Sequence, residues 1–188
     1  MATLLSERLI GEPASEESHR DVAVELFGDP LVAEWIWPGE RGGARTPAQA
    51  EKILARFARG WAENGIGWWY LRRRDDDVYV GEVGLQHATV DDAPAVEIGW
   101  TLLSAHWGRG YATEAARAAL AHGFDTLGFD EIVAFTLPHN RASRRVMERL
   151  GMTYEGATTH AGLPHVLYRI AAPTFARIAA PGPAGASP

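Results

Sequence analysis

Apolar residues recur at helical spacing near the start of the chain. His19, Val22, Ala23, Leu26 and Phe27 share one face, with Ser15 as N-cap and Glu16 and Glu17 in the first turn. Gly28, Asp29 and Pro30 end that segment. Residues 31–45 read as a short helical turn, with Trp35, Ile36 and Trp37, followed by a glycine-bearing loop. A second helix has a sharp start: Thr46 caps, Pro47 takes the first helical position and Gln49 completes a capping box. Its stripe is Ala50, Ile53, Leu54, Phe57 and Trp61, and Gly65 and Gly67 terminate it.

The period then changes. Trp68–Leu71, Val78–Gln86 and Ala95–Leu103 read as strands joined by short polar turns, the first of them Arg72–Asp77, so an antiparallel meander is predicted. A glycine-rich stretch, Gly108–Ala112, leads into a helix over Thr113–Phe124. Glu131–Leu137 reads as a strand, Asn140–Leu150 as a helix, and His165–Ala171 as the last strand. Strand, helix and strand in succession imply a crossover and parallel pairing. Residues 179–188 hold Pro, Gly, Ala and Ser without core positions and read as a disordered tail, leaving one domain over 1–178.

Composition narrows the chemistry. With 24 acidic against 18 basic residues and a net charge of −6, the 188-residue chain is not expected to bind nucleic acid. There is no cysteine, which excludes disulfides, a thiolate nucleophile and cysteine zinc sites. The seven histidines show no ligand spacing, so no metal is expected. No run reaches the ~18 apolar residues of a membrane span, and no secretory pattern is visible, so the expected location is cytoplasmic.

Trp107-Gly108-Arg109-Gly110-Tyr111-Ala112-Thr113-Glu114 lies between a strand and a helix. Small residues there let a ligand approach the backbone, and the amides of the first helical turn favour an anion such as phosphate. This loop lacks the lysine that a Walker loop requires, and Thr113 stands where a dinucleotide fingerprint needs its third glycine.

Motifs in order carry a family resemblance: Ser6-Glu7-Arg8-Leu9-Ile10, Val80-Gly81-Glu82-Val83-Gly84-Leu85, Val96-Glu97-Ile98-Gly99-Trp100-Thr101-Leu102, the glycine loop, and Asn140-Arg141-Ala142-Ser143 with Glu148-Arg149-Leu150-Gly151-Met152. From about residue 5 to about residue 175 the chain resembles the GNAT superfamily of acyl-CoA N-acetyltransferases, and within it the branch of ribosomal-protein N-terminal alanine acetyltransferases. The resemblance implies an α/β (α+β) GNAT fold: a mixed, mostly antiparallel sheet whose two central parallel strands splay, with flanking helices. It implies acetyl-CoA as cosubstrate, its pantetheine on the main chain of Trp100, Thr101 and Leu102 and its pyrophosphate on Arg109, Gly110, Tyr111, Ala112 and Thr113. Trp107 replaces the family's usual Gln or Arg at the start of the loop. A homodimer is a further implication of the branch.

Transfer to an amine requires loss of the amine proton and protection of the leaving thiolate. The resemblance implies Ser143 as the donor to the CoA sulfur, because Met147 stands where many members have Tyr. Asn140 is a candidate for pantetheine or a water, and equally an ordinary N-cap. Glu97 is the leading candidate base, with Glu82 and His87 as rivals on the substrate side. Arg144 and Arg145 are candidates for the CoA adenosine phosphates, and Trp35, Trp37 and Trp68 for the walls of the acceptor pocket. Without cysteine, direct transfer is favoured over an acyl-enzyme. The expected acceptor is a protein N-terminus or a small amine. The rival readings are a non-catalytic acyl-CoA-binding or sensor module, and a nucleotide-binding switch.

Overall fold

The computed structural model describes residues 3–39, 42–160 and 162–179. Its elements are β1 (Leu4–Leu5), β2 (Leu9–Pro13), α1 (Arg20–Gly28), α2 (Pro30–Ile36), α3 (Pro47–Asn64), β3 (Trp68–Arg73), β4 (Tyr79–Val90), β5 (Ala93–Leu102), α4 (Tyr111–Ala121), β6 (Glu131–Thr136), α5 (Arg141–Arg149), β7 (Thr153–His160), β8 (Leu163–Ala171) and α6 (Ala172–Ala179). They build one eight-stranded sheet in the order β1-β2-β3-β4-β5-β6-β8-β7. Neighbours are antiparallel except β5 and β6. The predicted meander is β3-β4-β5, and the predicted crossover is β5-α4-β6. Helices cover both faces: α4 packs on a core with Leu85, Ile98, Leu120 and Ile132, and α1 and α3 on one with Leu26, Phe27, Phe57 and Tyr70.

Several boundaries differ from expectation. The first helix begins at Arg20, with His19 rather than Ser15 as its N-cap. His19 is buried; its Nδ1 accepts from the Ser15 amide at 3.0 Å and its ring stacks on Tyr70 at 4.7 Å. That burial turns the chain inward before the helix can start. Asp29 does more than end α1, since its carboxylate accepts from the Leu31 amide at 2.8 Å and caps α2. The capping box of Thr46 and Gln49 and the left-handed Gly65 bound α3 as the sequence predicts.

Three elements were not predicted: the two-residue β1, β7 and α6. β7 is an edge strand with mostly exposed residues, so it lacks the alternation that marks a half-buried strand. Pairing with β8 makes it a strand. α6 is anchored by Phe175, buried against Phe124 with ring centroids 5.3 Å apart. It runs to Ala179, the first residue of the expected tail, and residues 180–188 lie outside those described.

Candidate active site

β5 and β6 pair at one register position, Glu97 with Val133, and then part. Register decides which main-chain groups face the gap. Glu97, Gly99 and Thr101 oppose Gln86, Gly84 and Glu82 of β4, and the Leu103 amide donates to Val80 at 3.0 Å, so the odd-numbered residues turn their main chain to β4. The even-numbered residues, Ile98, Trp100 and Leu102, turn theirs toward β6. Of the expected pantetheine positions, the Thr101 main chain is therefore engaged with β4. The Leu102 carbonyl accepts from Trp107 Nε1 at 2.8 Å, which gives the departing Trp107 a defined task at the end of β5. Trp100 keeps its N–H and C=O toward the gap.

The gap widens into a cleft of about 590 Å³. One rim is the start of α4. Gly110 takes the N-cap position at φ +83°, a left-handed conformation that suits glycine, and no side chain caps the helix. The first main-chain bond into the helix runs from the Glu114 amide to the Gly110 carbonyl at 3.1 Å. The preceding amides of Tyr111, Ala112 and Thr113 have no intrahelical acceptor. All three residues line the cleft, and so do Gly108 and Gly110. Arg109 is exposed and is not among the lining residues; its carbonyl accepts from Arg8 at 3.1 Å. The opposite rim is α5, which contributes Asn140, Ser143, Arg145 and Arg149. Arg144 points elsewhere, to the Tyr168 hydroxyl at 3.2 Å.

A carboxylate beside uncapped helix amides would oppose the binding of an anion there. Glu114 is neutralised by a clamp from the other end of the chain: Arg8 approaches it at 2.6 Å, and the Ser6 hydroxyl and Arg8 amide each donate at 2.7 Å. Burial works to raise this carboxyl, but those donors outweigh it and hold it below its ordinary value. The Arg8 guanidinium also lies over the Tyr111 ring at 4.6 Å.

Ser143 stands at the third position of α5. Its amide donates to Asn140 Oδ1 at 3.1 Å, so Asn140 is the N-cap and fixes the helix end at the cleft. The Ser143 hydroxyl has no hydrogen-bond partner among the described residues. Met147, one turn on, is buried in the core beneath α5.

Glu97 lies deep in the cleft. It is buried, accepts from Gln86 Nε2 at 2.9 Å and faces His165. Burial raises its carboxyl above the ordinary value, partly offset by the Gln86 hydrogen bond and by the neighbouring His165. Trp35 lines the cleft and leans on His139 with centroids 5.6 Å apart. Trp68 lies across Gly84 and Gly99: a Cβ on either would come within 2.4 and 2.7 Å of its indole. Phe57 stacks on it at 4.6 Å.

Three substrate-side candidates lie apart from the cleft lining. Trp37 packs against Phe27 at 5.7 Å with the Arg45 guanidinium over its ring at 3.9 Å. Glu82 is fully buried behind Thr101, and burial drives its carboxyl up to about 8, offset in part by Tyr70, Arg56 and Thr101. His87 is exposed and lines a separate cavity. The sequence reading missed His165, Gln86, Arg149 and the Arg8–Glu114 clamp, because each meets its partner only through the sheet or across the helix rim. No group of histidine and carboxylate side chains suited to a metal occurs among the described residues, and none of their helices is long and apolar enough to cross a membrane.

Comparison with known proteins places this geometry. The acetyltransferase (GNAT) domain family matches the chain over residues 8–153. The Bacillus subtilis (strain 168) protein YkkB is 30% identical over 143 residues, covering 76% of this chain and 80% of that protein. An Aspergillus fumigatus protein named FsC-acetyl coenzyme A-N(2)-transacetylase is 30% identical over 162 residues, covering 81% of this chain and 65% of that protein. Among solved structures, an acetyltransferase from Agrobacterium tumefaciens str. C58 superposes with a TM-score of 0.75 at 26% identity, covering 90% of this chain and 94% of that one. Mycobacterium smegmatis RimJ, solved in complex with CoA-disulfide, shares the fold at 21% identity with a TM-score of 0.75, covering 94% of this chain and 92% of that one. With residues 8–153 matched and the central strands parting after one parallel pair, the chain belongs to the GNAT family and is an acetyltransferase.

Proposed function

We propose that this enzyme moves the acetyl group of acetyl-CoA directly to a primary amine, with Glu97 taking the amine proton and Ser143 serving the sulfur. The carrying observation is the pairing of a buried carboxylate with a strand gap rimmed by uncapped helix amides. The amides of Tyr111, Ala112 and Thr113 suit the pyrophosphate, and Arg145 and Arg149 add positive charge on the facing rim. The exposed main chain of Trp100 suits the pantetheine amides.

The amine approaches from the side of Trp35, Trp68 and His165. Its nitrogen attacks the thioester carbonyl, so a C–N bond forms and the C–S bond breaks. The ammonium proton passes to the Glu97 carboxylate, whose raised pKa makes it a better base than an exposed glutamate. The departing thiolate receives a hydrogen bond from the Ser143 hydroxyl. Holding amine and thioester together in one cleft supplies much of the acceleration. Protein N-termini and small amines both remain within this acceptor class.

Calorimetry with acetyl-CoA, followed by thiol-release assays over amines and N-terminal peptides, tests this reading. Saturable binding with amine-dependent thiol release is expected. Binding without turnover of any amine would convert the assignment to a non-catalytic acyl-CoA-binding module.

A further inference from the structure

A second cavity, of about 340 Å³, lies between the C-terminal half of α3 and β4. It shares Trp68 with the cleft. Its wall also includes Gln86, the residue that donates to Glu97 at 2.9 Å. One layer of side chains, Trp68 and Gln86, therefore separates this cavity from the candidate base.

Its lining is mixed: Phe57, Ile66, Trp68 and Leu85 supply apolar wall, and its charged groups are mostly positive. Arg56 and Arg59 stand on successive turns of α3, against one lining carboxylate, Glu63. Neither arginine belongs to an ion pair among the described residues; Arg56 lies over the Phe57 ring at 5.3 Å, and its charge also acts on the buried Glu82. The backbone adds a donor. β3 starts at Trp68, opposite Gly84, and the Leu85 amide donates to the Gly67 carbonyl at 3.0 Å. Strand alternation turns the His87 amide to the same edge, beyond the end of β3 and toward the cavity. Gly60 and Gly67 let α3 and the chain entering β3 pack closely at this wall: a Cβ at Gly67 would come 2.7 Å from Trp61 Nε1, and one at Gly60 3.3 Å from the Ile66 carbonyl.

A cavity with two guanidinium groups and a main-chain donor recognises a carboxylate. A neighbouring site with a buried glutamate receives an amine. We propose that the second cavity is an anion subsite of the acceptor, and that the acceptor is an amine which also carries a carboxylate. Arg56, Arg59 and the His87 amide hold the carboxylate while the amino group reaches Glu97 past Trp68. This rests on the acyl-transfer reading above.

The test compares matched acceptors with the full chain by thiol release: ω-amino acids against their amides, and N-terminal peptides with Glu against Gln at the second or third residue. The expected result is a kcat/KM at least about tenfold higher for the acid form, carried by KM, because hydrogen bonds to charged groups are worth that much or more. Arg56→Ala and Arg59→Ala are expected to bring the acid-to-amide ratio toward one, with unchanged thermal melts as the folding control. A response to ω-amino acids identifies a small acceptor, and a response to acidic peptides alone identifies a protein N-terminus; both support the subsite. Equal rates for acid and amide forms, or arginine variants that leave the ratio intact, overturn it while the acetyltransferase reading stands. Acetyl-CoA binding with no amine acetylated overturns both.

Discussion

Gly99→Ala perturbs the cleft without straining the backbone, because Gly99 is not among the positive-φ glycines. The new Cβ would sit 2.7 Å from Trp68 Cη2, where ordinary carbon contacts are ~3.5–4.0 Å. The indole must retreat by about 1 Å. It has little room, since Phe57 is stacked on it at 4.6 Å and itself meets Phe27 at 6.3 Å. Overpacking of this kind costs about 1–3 kcal/mol. For a chain of this size each kcal/mol lowers Tm by about 2–4 °C, so a fall of about 2–12 °C is expected. Alanine also restricts the unfolded chain, which returns roughly 0.4–1 kcal/mol and places the result toward the lower end. The assay is a double-mutant cycle by thermal melting: wild type, Gly99→Ala, Trp68→Leu and the double variant. Trp68→Leu alone destabilises by removing buried ring, but it also opens the space that alanine needs. A favourable coupling of about 1–3 kcal/mol is expected in the double variant. Additive effects in the cycle would refute the claim that the glycine is kept for the indole.

Three further outcomes follow from the same geometry. Glu97→Gln should lower turnover by about 10²–10⁴-fold with acetyl-CoA affinity retained. In pH–rate profiles the wild-type rate should fall as Glu97 protonates, on a limb above the ordinary value of 4.5 because burial raises this carboxyl, and the glutamine variant should lack that limb. Ser143→Ala should reduce kcat while the acetyl-CoA Kd from calorimetry stays within about twofold, because the pyrophosphate amides lie on α4. Glu82 is raised in the folded state, from 4.5 to about 8, so its contribution to stability is complete below its unfolded pKa and is lost as pH rises toward 8. Denaturant melts should show wild type losing stability over that window, and Glu82→Gln should flatten the loss.

The Thr46–Gln49 capping box, the Gly65 stop, the meander and the crossover were all legible because each rests on neighbours within a few residues. The glycine-rich turn before α4 was legible in the same way, but the helix starts at Tyr111, two residues before the expected Thr113, because Gly110 takes the left-handed N-cap position. The family resemblance added the splayed strands and the candidates Glu97 and Ser143. β7 was not legible, because an exposed edge strand carries no apolar alternation. Ser15 looked like a cap, but the buried ring of His19 decided where α1 begins.

By itself, then, the sequence determined the order and type of most elements, the acidic balance, the lack of thiol chemistry and the helix end that can hold an anion. These follow from propensities and periodicities that act over one or two turns. Tertiary structure decided what those elements share. It set the register that turns Trp100, and not Thr101, toward the gap, and it separated Arg145 from Arg144 and Trp35 from Trp37. It also brought Arg8 onto Glu114 across 106 positions. The physical reason is that a side chain's partner depends on strand register and on the packing of distant segments. Burial, which raises Glu97 and Glu82, exists only once those segments close over them.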